Sequence, residues 1–498
     1  MVESVQAQVI EFFNVLINIV IALTHENKLQ FIMTTLNTTS IKSKNISIGR
    51  YCIFILAFSI SFYESSGQSF ENDICLPSKL YMLSDTQNDI FTEPLIKRWR
   101  PYNDVVRFTG TATYQRRLQR VASLNEPKEN TTITISLVNQ DEFKTIKSIT
   151  STIVVGEKGI GKHAIPVSII GDSFTHGAFF KDALLTKEYV PNIQMIGSRE
   201  VKDYPGQFDE GRGGWTLARY CMVSNKRTQA YNGFWQPEGR YKYWGSTDFW
   251  LLVKDIQSNP KGDWTFGEKY NTSRFESKAE LYNDKKGYKL KPNVDDVMYD
   301  NSKDQYVRFD GSKWKDIDDE GFSWSFNYEK YLSMWQLKSP LILAEFLGLN
   351  DFRNAPDPTS IDFTSWNDQM EKVIASYLKA VPDGRFVLMI PSSTCGILDN
   401  KAGDFTTKQN VCMWELRRNI IEIFDNRENE NIYIVDSGIA IDNMNGTRFL
   451  TDSIYTLTYN SYSGIDRIAV QTGNPHPYTN YPTMGISFAA FIQKYRQE

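Results

Sequence analysis

VSIIGDSFTHG, Val167–Gly177, is a β-branched, apolar run that stops at Gly171 and carries Asp172, Ser173 and Thr175 just past its end. An apolar strand that ends in a small residue can expose a serine at its tip as a nucleophile. The same pattern makes an ordinary strand-to-helix turn with a capping serine. The neighbours of the run decide between the two.

Three similar apolar runs follow it. They lie in SPLILAEFLGLND (Ser339–Asp351), GRFVLMIPSS (Gly384–Ser393) and NIYIVDSG (Asn431–Gly438). Continuous rather than alternating apolar residues are the mark of strands covered on both faces of a parallel sheet. Between them, SWNDQMEKVIASYLKAV (Ser365–Val381) sets Met370, Val373, Ile374, Tyr377 and Leu378 on one helical face, and VCMWELRRNIIEIF (Val411–Phe424) repeats the pattern. Alternation of strand and helix predicts an α/β domain with a parallel sheet. Ligand sites in such sheets lie outside the carboxyl ends of the strands, where Ser173, Asn350 and Ser392 all fall.

Upstream, from about Cys75 to Gly161, the pattern is β. VVRFTGTATYQRRL, TTITISLV and ITSTIVVG alternate apolar and polar residues between turn-forming residues, which predicts a small β-sandwich over residues 69–160. GEKGIGKH (Gly156–His163) reads as the linker to an α/β domain over 161–498. From about 225 to 323 the strand–helix alternation lapses into aromatic and charged stretches. These read as an insertion, with a hairpin around Asp310-Gly311 in YVRFDGSKWKDI.

The first 68 residues read as a leader. Lys42, Lys44 and Arg50 precede the apolar run Tyr51–Tyr63, and Ser65, Ser66 and Gly67 follow it. Basic, apolar, then small is the layout of a secretory signal, and the run is short for a membrane span. Met33 would then be the start. The alternative makes Val9–Leu23 and Tyr51–Tyr63 two membrane helices. Export would leave Cys75, Cys221, Cys395 and Cys412, with Cys395–Cys412 the favoured pair and four separate thiols the alternative.

The 498 residues are 41% apolar, enough for a large core, and the formal net charge is −4. No long Lys/Arg run is present, so nothing suggests a nucleic-acid partner. No CxxC or His/Cys cluster suggests zinc, and no cofactor is implied. The 11 Trp and 26 Tyr raise sugar binding, because flat rings stack on sugar faces, though the same residues fill cores.

A serine nucleophile needs a base, most often histidine, and the chain has 4 histidines. His25 lies in the leader. His163 sits at the wrong end of its strand. His176 would open a helix pointing away. His476, between Pro475 and Pro477 in TGNPHPYTNYPTMG (Thr472–Gly485), is held by two prolines ahead of a C-terminal helix. An acyl-transfer site also needs donors for an oxyanion. EGRGGWT (Glu210–Thr216) offers a Gly-rich turn, and FLGLNDF (Phe346–Phe352) ends a strand at Asn350.

Taken together, GDS-x-T-x-G with Ser173, GRGGW with Gly214, G-x-N-D with Asn350, and His476 near the C-terminus resemble the SGNH hydrolases, the GDSL-type lipase/esterase superfamily. HPYTNYPTMG is similar to the endings of many bacterial members. The resemblance spans about residues 164–498. It implies a flavodoxin-like three-layer α/β/α fold and a serine ester hydrolase. Ser173 would be the nucleophile and His476 the base. The Ser173 and Gly214 N–H groups and the Asn350 amide would form the oxyanion hole. Asp172 and Asp351 would support the turns that carry Ser173 and Asn350. An added β-domain and an aromatic insertion are similar to exported members that act on decorated glycans. The implied substrate is therefore an acylated carbohydrate, with a lipid or small ester as the alternative and no membrane span in the mature chain.

One position departs from the family. Gly473 stands where members usually carry the Asp that orients the histidine. Loss of that carboxylate costs about 10⁴-fold in rate in a well-studied triad. Asn474, a backbone carbonyl or Asp466 could orient His476 instead. The departure also supports a second reading, a glycan-binding protein that kept the scaffold and lost catalysis.

Overall fold

In the sheet that organises the chain, strand β8 (Ile165–Gly171) lies between β11 (Phe208–Gly211) and β18 (Ile342–Phe346). These come from a computed structural model that describes residues 73–496, apart from 101–103, 140–142, 177–182, 186–188, 202–203, 222–232, 247–292, 301–304, 318–321, 336, 393–405, 443–448, 461–463 and 472–480. The leader region therefore lies outside the described residues, as do Cys395 and its expected pairing.

The remaining strands are numbered along the chain: β1 (Lys79–Leu83), β2 (Asn88–Phe91), β3 (Asp104–Thr109), β4 (Arg116–Arg117), β5 (Val121–Leu124), β6 (Thr132–Asn139), β7 (Thr145–Gly156), β9 (Ile193–Met195), β10 (Arg199–Glu200), β12 (Trp235–Pro237), β13 (Lys242–Ser246), β14 (Asp296–Asp300), β15 (Gln305–Phe309), β16 (Trp314–Asp316), β17 (Trp324–Phe326), β19 (Arg385–Met389), β20 (Ile432–Val435), β21 (Phe449–Asn460) and β22 (Gly464–Gln471).

The organising sheet has the order β10-β11-β8-β18-β19-β20, with β9 paired to the start of β8. Pairing is parallel from β11 through β20, and only β10 runs antiparallel. All five residues of β18 and all four of β20 are buried, as expected for strands covered on both faces. Among the parallel strands that run β11 to β20, β8 comes first in sequence, β11 second, and β18, β19 and β20 follow. Winding thus reverses between β8 and β18, and the carboxyl ends of those two strands flank the switch point.

The predicted helices are present as Thr364–Ala380 and Lys408–Phe424. The first buries Trp366, Met370, Val373, Ile374 and Tyr377, the face its periodicity marked. The fold is thus α/β, as expected.

Residues 73–156 form two further sheets, β1-β7-β6-β3 and β2-β5-β4. Inward Ile133, Ile135 and Leu137 of β6 join Leu80, Ile90 and Leu124 in a separate core. On the outer face, Thr134 meets Thr150 at 2.8 Å and Ser136 meets Ser148 at 2.7 Å, hydroxyl pairs directly across the ladder. The hairpin expected at Asp310-Gly311 is formed by β15 and β16.

Asn72–Glu498 is one compact unit, and the C-terminal helix Tyr481–Tyr495 is its joint. Met484, Phe488, Ala489, Ala490, Phe491 and Ile492 are all fully buried. A helix apolar on all sides must be enclosed. Phe491 meets both Tyr81 of β1 and Tyr433 of β20, each at 5.1 Å. Trp414 Nε1 donates to the Leu95 carbonyl at 2.8 Å, and Ser78 donates twice to Asp425. Among the described residues no helix is long and apolar enough to cross a membrane.

Candidate active site

Ser173 opens a one-turn helix, Ser173–His176, immediately beyond β8. The Asp172 carboxylate makes that turn: its Oδ1 accepts the Phe174 N–H at 2.8 Å. Phe174 is buried against Phe346, at the end of β18, with ring centroids 5.8 Å apart. Ser173 itself is half-buried. Its turn is therefore set by a side chain and anchored by a ring.

Asn350 lies past β18 in the turn Leu349–Phe352. Its Nδ2 donates to Asp172 Oδ2 at 3.0 Å and to the Trp215 carbonyl at 3.2 Å. Asp351 holds the same turn and the next loop: it accepts the Gly348 N–H at 3.2 Å and the Leu217 N–H at 3.0 Å. The Gly-rich loop follows β11. Arg212 N–H donates to the Gly171 carbonyl at 2.8 Å, and Gly214 sits exposed with a φ of +74°, a left-handed turn that suits glycine.

The turns carrying Ser173, Gly214 and Asn350 thus meet at the carboxyl ends of three adjacent parallel strands. Asp172 and Asp351 link them through their hydrogen bonds. His476, Asn474 and Gly473 lie outside the described residues, as does the side chain of His176. Asp466 is on β22, and its side chain is likewise outside. His163 is exposed, and its carbonyl accepts from Arg496 at 2.9 Å.

Burial raises the acids beneath the site. It pushes Asp172 up to about 7, opposed by the Phe174 N–H and Arg353 and reinforced by Asp351. It pushes Asp351 up to about 6, opposed by the Leu217 and Gly348 N–H groups. Glu345, on β18, is raised well above the usual carboxylate range, first by burial and then by Asp351.

Behind the Gly-rich loop lies a buried polar group absent from the sequence reading. Arg199, Asp209, Glu210 and Arg212 are each at most 4% exposed. Arg212 pairs with Glu210 at 3.0 Å, Tyr331 O–H and Ser198 N–H also donate to Glu210, and Arg199 donates to the Gly211 carbonyl. Tyr220 O–H reaches the Gly171 carbonyl at 2.8 Å and also the Glu210 carbonyl. The one sequence signal for this group is the charged run Asp209-Glu210-Gly-Arg212. The signal for Glu345 is a single acid inside an apolar strand.

No family model matches the chain, and no curated protein matches it. Among solved structures, a possible lipase from Chitinophaga pinensis DSM 2588 is similar at 11% identity and a TM-score of 0.27, covering 66% of this chain and 97% of that one. A Clostridium thermocellum family 3 carbohydrate esterase is similar at 12% identity and a TM-score of 0.27, covering 66% and 94%. Likenesses at that TM-score carry no argument about this chain.

Proposed function

We propose that the chain is an exported serine ester hydrolase that works through an acyl-enzyme and acts on an acylated carbohydrate. One observation carries the reading. A single carboxylate, Asp172, shapes the Ser173 turn and accepts from Asn350, and Asn350 in turn holds the Trp215 carbonyl of the Gly214 loop. Three turns tied in this way at a switch point suit one reacting centre.

Ser173 Oγ attacks the ester carbonyl as His476 takes its proton. The backbone N–H groups of Ser173 and Gly214 and the Asn350 amide hold the oxyanion. Both Asn350 N–H bonds are in use at rest, so the oxyanion takes the hydrogen that points at Trp215 O, the longer of the two. His476 passes its proton to the leaving alcohol, and water then releases the acid by the reverse path. Asn474, a backbone carbonyl or Asp466 replaces the missing carboxylate as the orienter of the imidazole.

The strand order β11-β8-β18-β19-β20, second-first-third-fourth-fifth in sequence, is the flavodoxin-like order. It supports a three-layer α/β/α hydrolase domain over 161–498. The shared core of the two N-terminal sheets supports a β-sandwich over 69–160. Export to the periplasm, cell surface or medium of a bacterium rests on the basic, apolar and small residues ahead of Gln68. The aromatic insertion supports a sugar substrate over a lipid one.

Gly473 favours one rival, a glycan-binding scaffold without catalysis. A fluorophosphonate probe separates them. It is expected to label the wild type and to leave Ser173→Ala and His476→Ala unlabelled. An unlabelled wild type that still binds acetylated oligosaccharides would establish the binder. A panel of acetylated oligosaccharides and aryl esters of rising acyl length then assigns the substrate class.

A further inference from the structure

Glu345 is the one charged residue in β18, a strand otherwise of Ile, Leu, Ala and Phe. It pairs in register with Ile170 of β8 and Leu388 of β19, so it sits in the middle of the sheet, one residue short of the switch point. Its exposure is 1%, and neither carboxyl oxygen has a hydrogen-bond partner. The Leu347 N–H faces it without normal hydrogen-bond geometry, and the charges it faces are Asp351 and Asp172. An unpaired carboxylate in such a place costs several kcal/mol by burial, on the order of what strongly shifted buried acids show.

The donors near these three acids are unevenly shared. Asp172 accepts from Phe174 and Asn350, Asp351 accepts from Leu217 and Gly348, and neither oxygen of Glu345 has a partner of normal hydrogen-bond geometry. Donors favour the charged form of the group they point at, and like charges close together cannot all ionise. Arg353 acts on Asp172 as an opposing positive charge. Among the described residues no group of three or more His, Cys, Asp or Glu is placed to hold a metal ion.

We infer that Glu345 is a positioning residue: it keeps a proton, and by staying neutral it leaves Asp172 and Asp351 free to carry the charge that holds Asn350 and the Gly214 loop. The role rests on the esterase reading, because what it positions is the proposed oxyanion hole. Loss of the Glu345 proton at alkaline pH puts a third charge beside the other two. Repulsion among the three carboxylates then strains the turns they hold and weakens the bonds to Asn350, Leu217 and Gly348.

The test compares wild type with Glu345→Gln, a neutral side chain of nearly the same shape. Infrared spectra at pH 9 are expected to show a protonated-carboxyl band in the wild type that Glu345→Gln removes; Asp172 and Asp351 are ionised by then. The wild-type kcat is expected to fall at alkaline pH by tenfold or more, while Glu345→Gln matches it within about twofold at pH 7 and keeps its activity at alkaline pH. A carboxyl band unchanged by Glu345→Gln would overturn the inference whatever the esterase assay gives. A lost band with an identical alkaline limb in both proteins would overturn the positioning role. Failure of the esterase reading shows separately, as a wild type that neither labels nor hydrolyses while the band still reports the Glu345 proton.

Discussion

Asn350 donates its side-chain amide to Asp172 at 3.0 Å, across 178 residues of chain. The bond joins the turn after β8 to the turn after β18, and Asp172 makes the Ser173 turn with its other oxygen. Asp172→Ala leaves the Asn350 and Phe174 donors without this acceptor. A stranded buried donor costs about 1–3 kcal/mol. Chemical denaturation is expected to show a loss of that size, and the rate of fluorophosphonate labelling at Ser173 is expected to drop more than tenfold. Labelling at the wild-type rate would mean that the Asp172–Asn350 bond does not set the geometry of the site.

The same carboxylate predicts how stability depends on pH. Asp172 titrates at about 7 in the folded chain because it is buried, against 3.8 ordinarily. Between those values the folded state holds a proton that the unfolded state has released. Stability therefore falls as pH rises through that window, by at most about 1.4 kcal/mol per pH unit for one such group. Asp209, raised to about 7, and Asp351, raised to about 6, act in the same sense. Urea melts between pH 4.5 and 8 are expected to show the wild type losing stability, with a shallower slope in Asp172→Asn. Equal slopes in the two proteins would count against a protonated Asp172.

The four apolar strands, β8, β18, β19 and β20, and the helices between them were legible because burial on both faces leaves an unbroken apolar run. β11 was not. Its Phe-Asp-Glu-Gly is polar, and it is buried only because Arg199, Arg212, Tyr331 and Ser198 meet its two acids. Such pairings are tertiary, and local periodicity carries no trace of them. Without β11 the strand order, and so the switch point beside Ser173, could not be read from the runs alone. At the site, Ser173, Gly214 and Asn350 were readable as short motifs at strand ends. The part played by Glu345 was hidden, because an acid inside an apolar run has meaning only once its missing partners are seen.

Gly214 tests the oxyanion loop without testing the fold. A Cβ there would meet nothing within 4 Å, so the cost of Gly214→Ala is confined to its φ of +74°. A left-handed non-glycine residue costs about 1–2 kcal/mol. The variant is expected to melt as one cooperative unit with a small drop in stability, while kcat for an acetyl ester falls about 10²-fold through displacement of a backbone donor. Wild-type kcat in a correctly folded Gly214→Ala protein would remove Gly214 from the oxyanion hole.

Gly156 is the opposite case. It ends β7 against the C-terminal helix, and a Cβ there would lie 2.1 Å from the Ala490 carbonyl oxygen and 2.7 Å from the Ala490 Cα. Both are backbone atoms, so no side chain can swing aside, and the helix must move. Overpacking of this kind typically costs about 1–3 kcal/mol, and here it pries at the element enclosed between β1 and β20. Gly156→Ala is expected to lower the melting temperature by several degrees and to raise amide exchange in Tyr481–Tyr495 and in β1 together, because Tyr81 and Phe491 part when the helix shifts. Helix Thr364–Ala380, which packs on β19 and β17, is expected to keep its protection. Uniform loss of protection across both helices would instead mean that the N-terminal sheets and the parallel sheet unfold as one piece, with no separate joint between them.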